Sequence, residues 1–160
     1  MSERTIEQTY EIAASPAAVF RALTDAGELS RWWTTRAESD PRTGGSFSYT
    51  WEFEEQTERN HTREGVYADV TPDEHLRYDW PMPPGNTVVD FRLEPSGDGT
   101  ALTLDHEGWG SGGDWDQAYE MHDGGWRFFL GNLRSYLERG EDRRAGEMGL
   151  KTTASVEAGT

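Results

Sequence analysis

Cysteine is absent from all 160 residues, which excludes disulfides, Cys-ligated zinc and thiol nucleophiles together. Lysine is almost absent: Lys151 is the single example, and the other basic residues are Arg. No apolar run approaches the length of a membrane span, and the start, Met1-Ser2-Glu3-Arg4, lacks the apolar region of a signal peptide. A cytoplasmic protein without membrane insertion is therefore expected. Basic residues number 15 against 30 acidic ones, for a net charge of -15. That field repels phosphates and anionic lipid, so no nucleic-acid partner is expected.

Catalytic and metal motifs are missing as well. There is no His-x-x-x-His or His-Glu-x-x-His spacing, so neither a metal nor a cofactor is expected. There is no Gly-x-Ser-x-Gly elbow, and no inward carboxylate pair stands out. Asp90 and Asp105 oppose the apolar parity of their strands and should be solvated. The run Gly108-Trp109-Gly110-Ser111-Gly112-Gly113 lacks the Lys-Ser/Thr of a phosphate loop. It reads instead as a mobile flap weighted by Trp109 and Trp115.

What the chain does have is large rings: seven Trp, six Tyr and six Phe within a hydrophobic fraction of 34%. Such a chain builds its interior from few, bulky side chains, and flat rings line pockets as readily as they fill cores.

The length fits one domain. Residues 5–13 read as a strand. Ser15-Pro16 supplies an N-cap and a first-turn Pro for a short helix over 16–24, and Asp25 starts a second segment ending near Trp33. From Gly44-Gly45 the period switches to two, with Phe47, Tyr49, Trp51 and Phe53 on one face. Residues 55–63 read as a charged connection between hairpin strands, and 65–70 as the next strand. Leu76, Tyr78 and Trp80 mark another, and 81–86 a rigid loop. Val89, Phe91 and Leu93 mark the strand after it, and Leu102, Leu104 and His106 the last.

A helix over 116–139 carries Tyr119, His122, Trp126, Phe129, Leu130, Leu133 and Leu137 at spacings of three and four. Gly140 is its C-cap. Residues 1–140 form the domain, and 141–160 read as a flexible polar tail. One helix on a strongly curved antiparallel sheet cannot fill the concave side, so an internal cavity follows.

These segments carry a family resemblance. They include Ser15-Pro16 with Val19-Phe20 and Ala22-Leu23-Thr24-Asp25, and Leu29 with Trp32-Trp33. Asp40-x-Arg42-x-Gly44-Gly45-x-Phe47, Gly65 with Val70-x-Pro72, and Leu76-x-Tyr78-x-Trp80 continue the series. Gly97-x-Gly99-Thr100, Leu102-x-Leu104-x-His106 and Gly125-Trp126 with Leu130 and Leu133 complete it. The chain resembles the activator-of-Hsp90-ATPase-like (AHSA1) branch of the START-like, or SRPBCC, superfamily. The resemblance implies an α+β helix-grip fold of the START/Bet v 1-like type, a curved antiparallel sheet wrapped around a long C-terminal helix. It also implies a hydrophobic tunnel that takes lipids, sterols, hormones or polyketides, with cyclases and hydrolases among a few members. The namesake is an Hsp90 co-chaperone with an additional N-terminal domain, for which 160 residues leave no room. An Hsp90-type chaperone is thus a partner the resemblance names and the length disfavours.

The expected cavity residues are Trp32, Trp33, Phe47, Tyr49, Trp51, Tyr78, Trp80, Phe91, His106, Trp109, Tyr119, His122 and Trp126. Of the Trp32-Trp33 pair, one ring should pack under the helix and one should stand at the cavity mouth; a purely core role for both is the alternative. His106 and His122 should face inward, as polar anchors, as an acid/base pair with Tyr49 or Tyr78, or simply as hydrogen-bonded structural groups. Three functions stay open. The leading one is binding of a small hydrophobic, ring-containing molecule by a monomer or homodimer. The others are an enzyme of cyclase or hydrolase type and a protein-interaction module.

The acidic, Lys-poor composition fits either salt adaptation or an ordinary acidic protein. If it is salt adaptation, the melting temperature should climb from low to molar KCl by more than that of a near-neutral domain, as repulsion is screened. A melting temperature indifferent to KCl marks the ordinary case. Salting-out of apolar surface acts in the same direction, which is why the comparison domain is needed.

Overall fold

The computed structural model describes residues 4–83, 85–144 and 150–152. Strand β1 (Ile6–Ile12) leads into helices α1 (Pro16–Thr24) and α2 (Ala26–Trp32). Strands β2 (Arg36–Ser39), β3 (Ser46–Trp51), β4 (His61–Thr71), β5 (His75–Met82), β6 (Gly85–Ser96) and β7 (Gly99–Glu107) follow, and helix α3 (Gly113–Arg139) comes after them. The strands make one seven-stranded antiparallel sheet in the order β1-β7-β6-β5-β4-β3-β2. This is the α+β helix-grip arrangement.

Local chemistry sets the element ends. Ser15 caps α1 by accepting the Ala18 N–H at 3.1 Å, with Pro16 in the first turn. Asp25 closes α1 and caps α2, its carboxylate accepting the Glu28 N–H at 3.0 Å. α1 turns Val19, Phe20 and Leu23 inward, and the Trp32 indole donates to the Ala22 carbonyl at 2.8 Å, locking the two helices together. α3 runs unbroken to Gly140, whose left-handed φ of 68° stops it. Its inner face buries Trp126, Leu130 and Leu133.

Four expectations are corrected. The charged stretch 55–63 is not all connection: a single 3-10 turn, Thr57–Arg59, interrupts it, and β4 begins at His61. The expected rigid loop 81–86 is a tight hairpin, with Met82 paired directly to Gly85; Pro84 lies outside the described residues. Asp90 points outward as its parity requires, yet it is only 7% exposed. His75 Nε2 at 2.7 Å and an Arg77 nitrogen at 3.0 Å cover its carboxylate, and Asp69 holds the other ring nitrogen of His75. Asp105, likewise outward, is ion-paired to Arg92 at 2.6 Å rather than free in water.

The fourth correction concerns the stretch after Gly140, which docks on the body wherever it is described. Arg144 is fully buried and donates to the Thr34 carbonyl at 2.7 Å and the Ser30 carbonyl at 2.9 Å. Its guanidinium also meets Asp142 at 2.9 Å, so the charge is neutralised where it is buried. Asn132 joins the cluster by donating to the Trp32 carbonyl at 2.9 Å and accepting the Arg143 N–H at 3.0 Å. Further on, Leu150 bridges Phe53, and the Lys151 N–H donates to the Glu52 carbonyl at 2.7 Å. Residues 145–149 and 153–160 of the expected tail lie outside the described residues.

Arg144 therefore acts as a C-terminal cap for α2. Replacing it by Ala takes away the ion-pair partner of Asp142 and the side-chain donor to two helix-end carbonyls, and should destabilise the fold by about 2–4 kcal/mol. Arg144→Lys should recover only part of that loss, since a single ammonium cannot reach all three acceptors as a fork does. Urea unfolding of the three proteins checks the order.

Candidate functional site

A cavity of about 490 Å³ opens between α3 and the β3–β4–β5 end of the sheet. Its walls are Trp33 after α2, Trp51 on β3, Phe53 just beyond it, Trp80 on β5, and Trp126 and Phe129 on α3. Trp33 is the centre of this set. Its ring lies between Trp32 (5.5 Å, 17° between planes) and Trp80 (5.6 Å, 18°), and Trp51 meets it edge-on at 5.3 Å. Trp126 completes the group at 5.2 Å. The Trp51 indole also donates to the Trp33 carbonyl at 3.0 Å, fixing that residue where α2 ends.

The floor is polar only in carefully paired places. Trp126 Nε1 donates to His106 Nδ1 at 2.9 Å, so the His106 proton sits on Nε2, 2.7 Å from Thr87 Oγ1. The Thr87 hydroxyl passes its proton toward the Trp80 carbonyl at 3.0 Å. His106 is fully buried, and burial, with His122 nearby, pushes its pKa well below the ordinary 6.5. His122 bonds the Ala118 carbonyl through Nδ1 at 2.8 Å and accepts the Trp80 indole at Nε2, 3.3 Å away. Burial lowers its pKa too, against the Ala118 bond and with help from Arg63 and His61. Both imidazoles are neutral at pH 7, and both ring nitrogens of each are engaged.

Of the expected cavity residues, the structure brings Trp33, Trp51, Trp80, His122 and Trp126 to the cavity wall. Trp32 is core, its indole bound to Ala22 of α1, while Trp33 is also buried but lines the cavity. Phe47, Tyr49, Tyr78 and Phe91 form a fully packed layer beneath the walls. Burial raises the pKa of Tyr49 and of Tyr78 well above 10, and Tyr49 spends its hydroxyl on Tyr67 at 2.6 Å, so neither phenol is an acid or base for a ligand. His106 lies behind Trp126 rather than at the wall. Trp109 is buried and donates to the His106 carbonyl at 2.9 Å, so it anchors the Gly-rich connection instead of weighting a flap. Tyr119 packs against Trp109 at 5.4 Å, away from the cavity lining.

Several lining residues escaped the sequence reading. His61 and Arg63 stand on the inward face of β4, opposite Trp51 and Tyr49. The His61 ring stacks on Trp51 at 4.9 Å. Arg59 lies over the Phe53 ring at 4.3 Å, and Met121 and Gly125 come from α3. The inward period of β4 continues through Gly65, where a Cβ would come within 2.6 Å of the Phe47 ring. Gly125 lines the cavity, and a Cβ there would meet nothing within 4 Å. The usable signal was the alternation His61, Arg63, Gly65, Tyr67, hidden by its charge. Among the described residues no group of three or more His, Asp or Glu side chains could hold a metal ion. No helix among them is long and apolar enough to cross a membrane.

An antiparallel sheet gripping one long helix over an aromatic cavity defines a helix-grip protein with room for a small molecule. Residues 13–138 match the family described as Activator of Hsp90 ATPase homolog 1-like protein, and the chain belongs to that family. Among solved structures it is similar to protein MLL2253 from Mesorhizobium loti (25% identity, TM-score 0.72, covering 86% of this chain and 99% of that one). It is also similar to the Aha1 dimer from Colwellia psychrerythraea (22%, TM-score 0.70, 86% and 98%). DynU16, a protein of the dynemicin biosynthetic locus, shares 22% identity at a TM-score of 0.71, and the match covers 86% of this chain but 48% of DynU16. No curated protein matches the chain.

The neutral state of His106 gives a signed pH effect. The unfolded chain takes up a proton below about pH 6.5 and the folded one does not, so this group's contribution is complete above that pH. It falls as pH drops, by up to about 1.4 kcal/mol per pH unit. The stability difference between wild type and His106→Gln should therefore shrink from pH 7 to pH 5 in denaturant titrations. A constant difference would show that His106 titrates alike folded and unfolded.

Proposed function

We propose that the chain binds a small hydrophobic, ring-containing molecule in the cavity between β3–β5 and α3. The observation that carries the reading is the wall itself: Trp33, Trp51, Trp80 and Trp126 present flat rings around open volume, on rigid elements. Gly125 on α3 lines this volume, and a Cβ there would meet no atom within 4 Å, so the wall has room to spare at that point. Acid/base catalysis is disfavoured by the full engagement of His106 and His122 and by the protonated phenols. The interaction-module reading calls for an apolar surface patch. Among the described residues the large exposed hydrophobics are Val66 and Met121, which make no such patch.

Gly125→Leu separates binding from stability. The new side chain grows into the cavity, while replacing a mid-helix Gly should leave stability unchanged or raise it by up to about 1 kcal/mol. Pyrene-1-carboxamide, a flat uncharged probe, should quench Trp emission saturably in the wild type and not in this variant. Wild-type protein that takes up no probe, or a variant that binds it equally, overturns the reading.

A further inference from the structure

We propose that the cavity selects hydrophobic molecules bearing a carboxylate, and that Arg63 is the residue that receives it. The inference rests on the ligand-binding reading above and names the chemical class of the ligand. It starts from an anomaly of charge. The chain carries -15, yet one end of its cavity sets two cations, Arg59 and Arg63, against a single acid, Glu58, beside the neutral imidazoles of His61 and His122. At physiological salt, charges interact over roughly 8 Å, so a ligand in the cavity meets this local group rather than the distant acidic surface.

Arg63 differs from its neighbours in lacking a partner. Arg59 is occupied, stacked over Phe53 and bonded to Gln56 Oε1 at 2.9 Å. His61 gives Nδ1 to the Arg59 carbonyl at 2.8 Å, and His122 is held on both ring nitrogens. Arg63 makes no hydrogen bond or ion pair among the described residues, although its Nε is buried. It stands on β4 directly across from Tyr49, on the concave face, where a strand would ordinarily place an apolar side chain. Burial lowers its pKa, a sign of a charge held partly out of water without compensation.

A guanidinium with a free, half-buried edge fits a planar two-oxygen anion, which it meets with two parallel N–H···O bonds. The surrounding geometry supplies the rest of the ligand's description. The acid group faces β4, and the flat body lies along Trp51, Trp80 and Trp126. A quaternary amine does not match, because its charge repels the guanidinium.

The test compares pyrene-1-carboxylate with the isosteric pyrene-1-carboxamide at pH 7.5, following Trp emission. The wild type should bind the carboxylate at least about tenfold more tightly. Arg63→Gln should abolish that preference while leaving carboxamide affinity and the melting temperature unchanged, since no hydrogen bond or ion pair within the protein is lost. Should Arg63→Gln fail to fold, Arg63→Lys serves: it keeps the charge, loses the fork, and should retain only part of the preference. Equal binding of the two probes by wild type, or a preference that survives both substitutions, overturns the inference and leaves the cavity reading standing. Binding of neither probe overturns both.

Discussion

A single buried hydrogen-bond chain ties the long helix to the sheet: Trp126 to His106, His106 to Thr87, and Thr87 to the Trp80 carbonyl. It crosses α3, β7, β6 and β5, and it closes only if His106 is neutral with its proton on Nε2. Both ends of the chain are tryptophans whose rings form the cavity wall. The polar floor therefore fixes the apolar wall. An indole ring held at its nitrogen cannot slide to close the space beside it, and the cavity persists for that reason. His122 repeats the device one helical turn away, binding its own backbone through Nδ1 and the Trp80 indole through Nε2.

Large rings make this arrangement necessary. Trp33 is sandwiched at 5.5 Å and 5.6 Å between two other indoles, and such offset stacks are worth about 0.5–1.5 kcal/mol each beyond area burial. Rings stack into rigid plates, and plates leave gaps that branched aliphatic side chains would have filled. On α3, Gly125 lines the gap alongside Met121, His122, Trp126 and Phe129 and adds no side chain to it. Beneath, Phe47, Tyr49, Tyr67 and Tyr78 pack closely, with Gly65 clearing a path for the Phe47 ring. The same residue types thus make a solid layer on β3–β5 and an open one against the helix. The difference lies in what faces them.

The fold was legible where physics acts locally. The Ser15-Pro16 cap, the switch from helical to alternating spacing near Gly45, and the apolar stripe of α3 each announce an element without reference to anything distant. Burial of charge was not legible. His61 and Arg63 read as connection because a charged residue on an inward strand position is costly unless something compensates it, and sequence patterning assigns such residues to solvent. Asp90 was misread for the opposite reason: its outward parity was right, but His75 and Arg77 reach across from β5 to cover it. Arg144 lies in a polar stretch without periodicity, and its burial depends on carbonyls at the end of α2 more than 100 residues earlier. Long-range charge satisfaction leaves no local trace.

Those compensated charges divide into two kinds, and the division bears on function. Arg144 is saturated, and the Asp90 carboxylate is covered at Oδ2 by both His75 and Arg77, so each stabilises one geometry. Arg63 is not saturated, and it sits where the aromatic walls converge. A family fold supplies the cavity, but a fold shared at 22–25% identity cannot set the chemistry of what enters it. On the reading proposed above, that chemistry falls to His61 and Arg63, the inward positions of β4 that line the cavity. Substituting His61 or Arg63 would change the cavity edge without disturbing the hydrogen-bond chain that holds its walls, because β4 lies outside that chain, whereas Gly65 and Tyr67 belong to the packed layer beneath. The walls can therefore stay constant while the recognising edge changes.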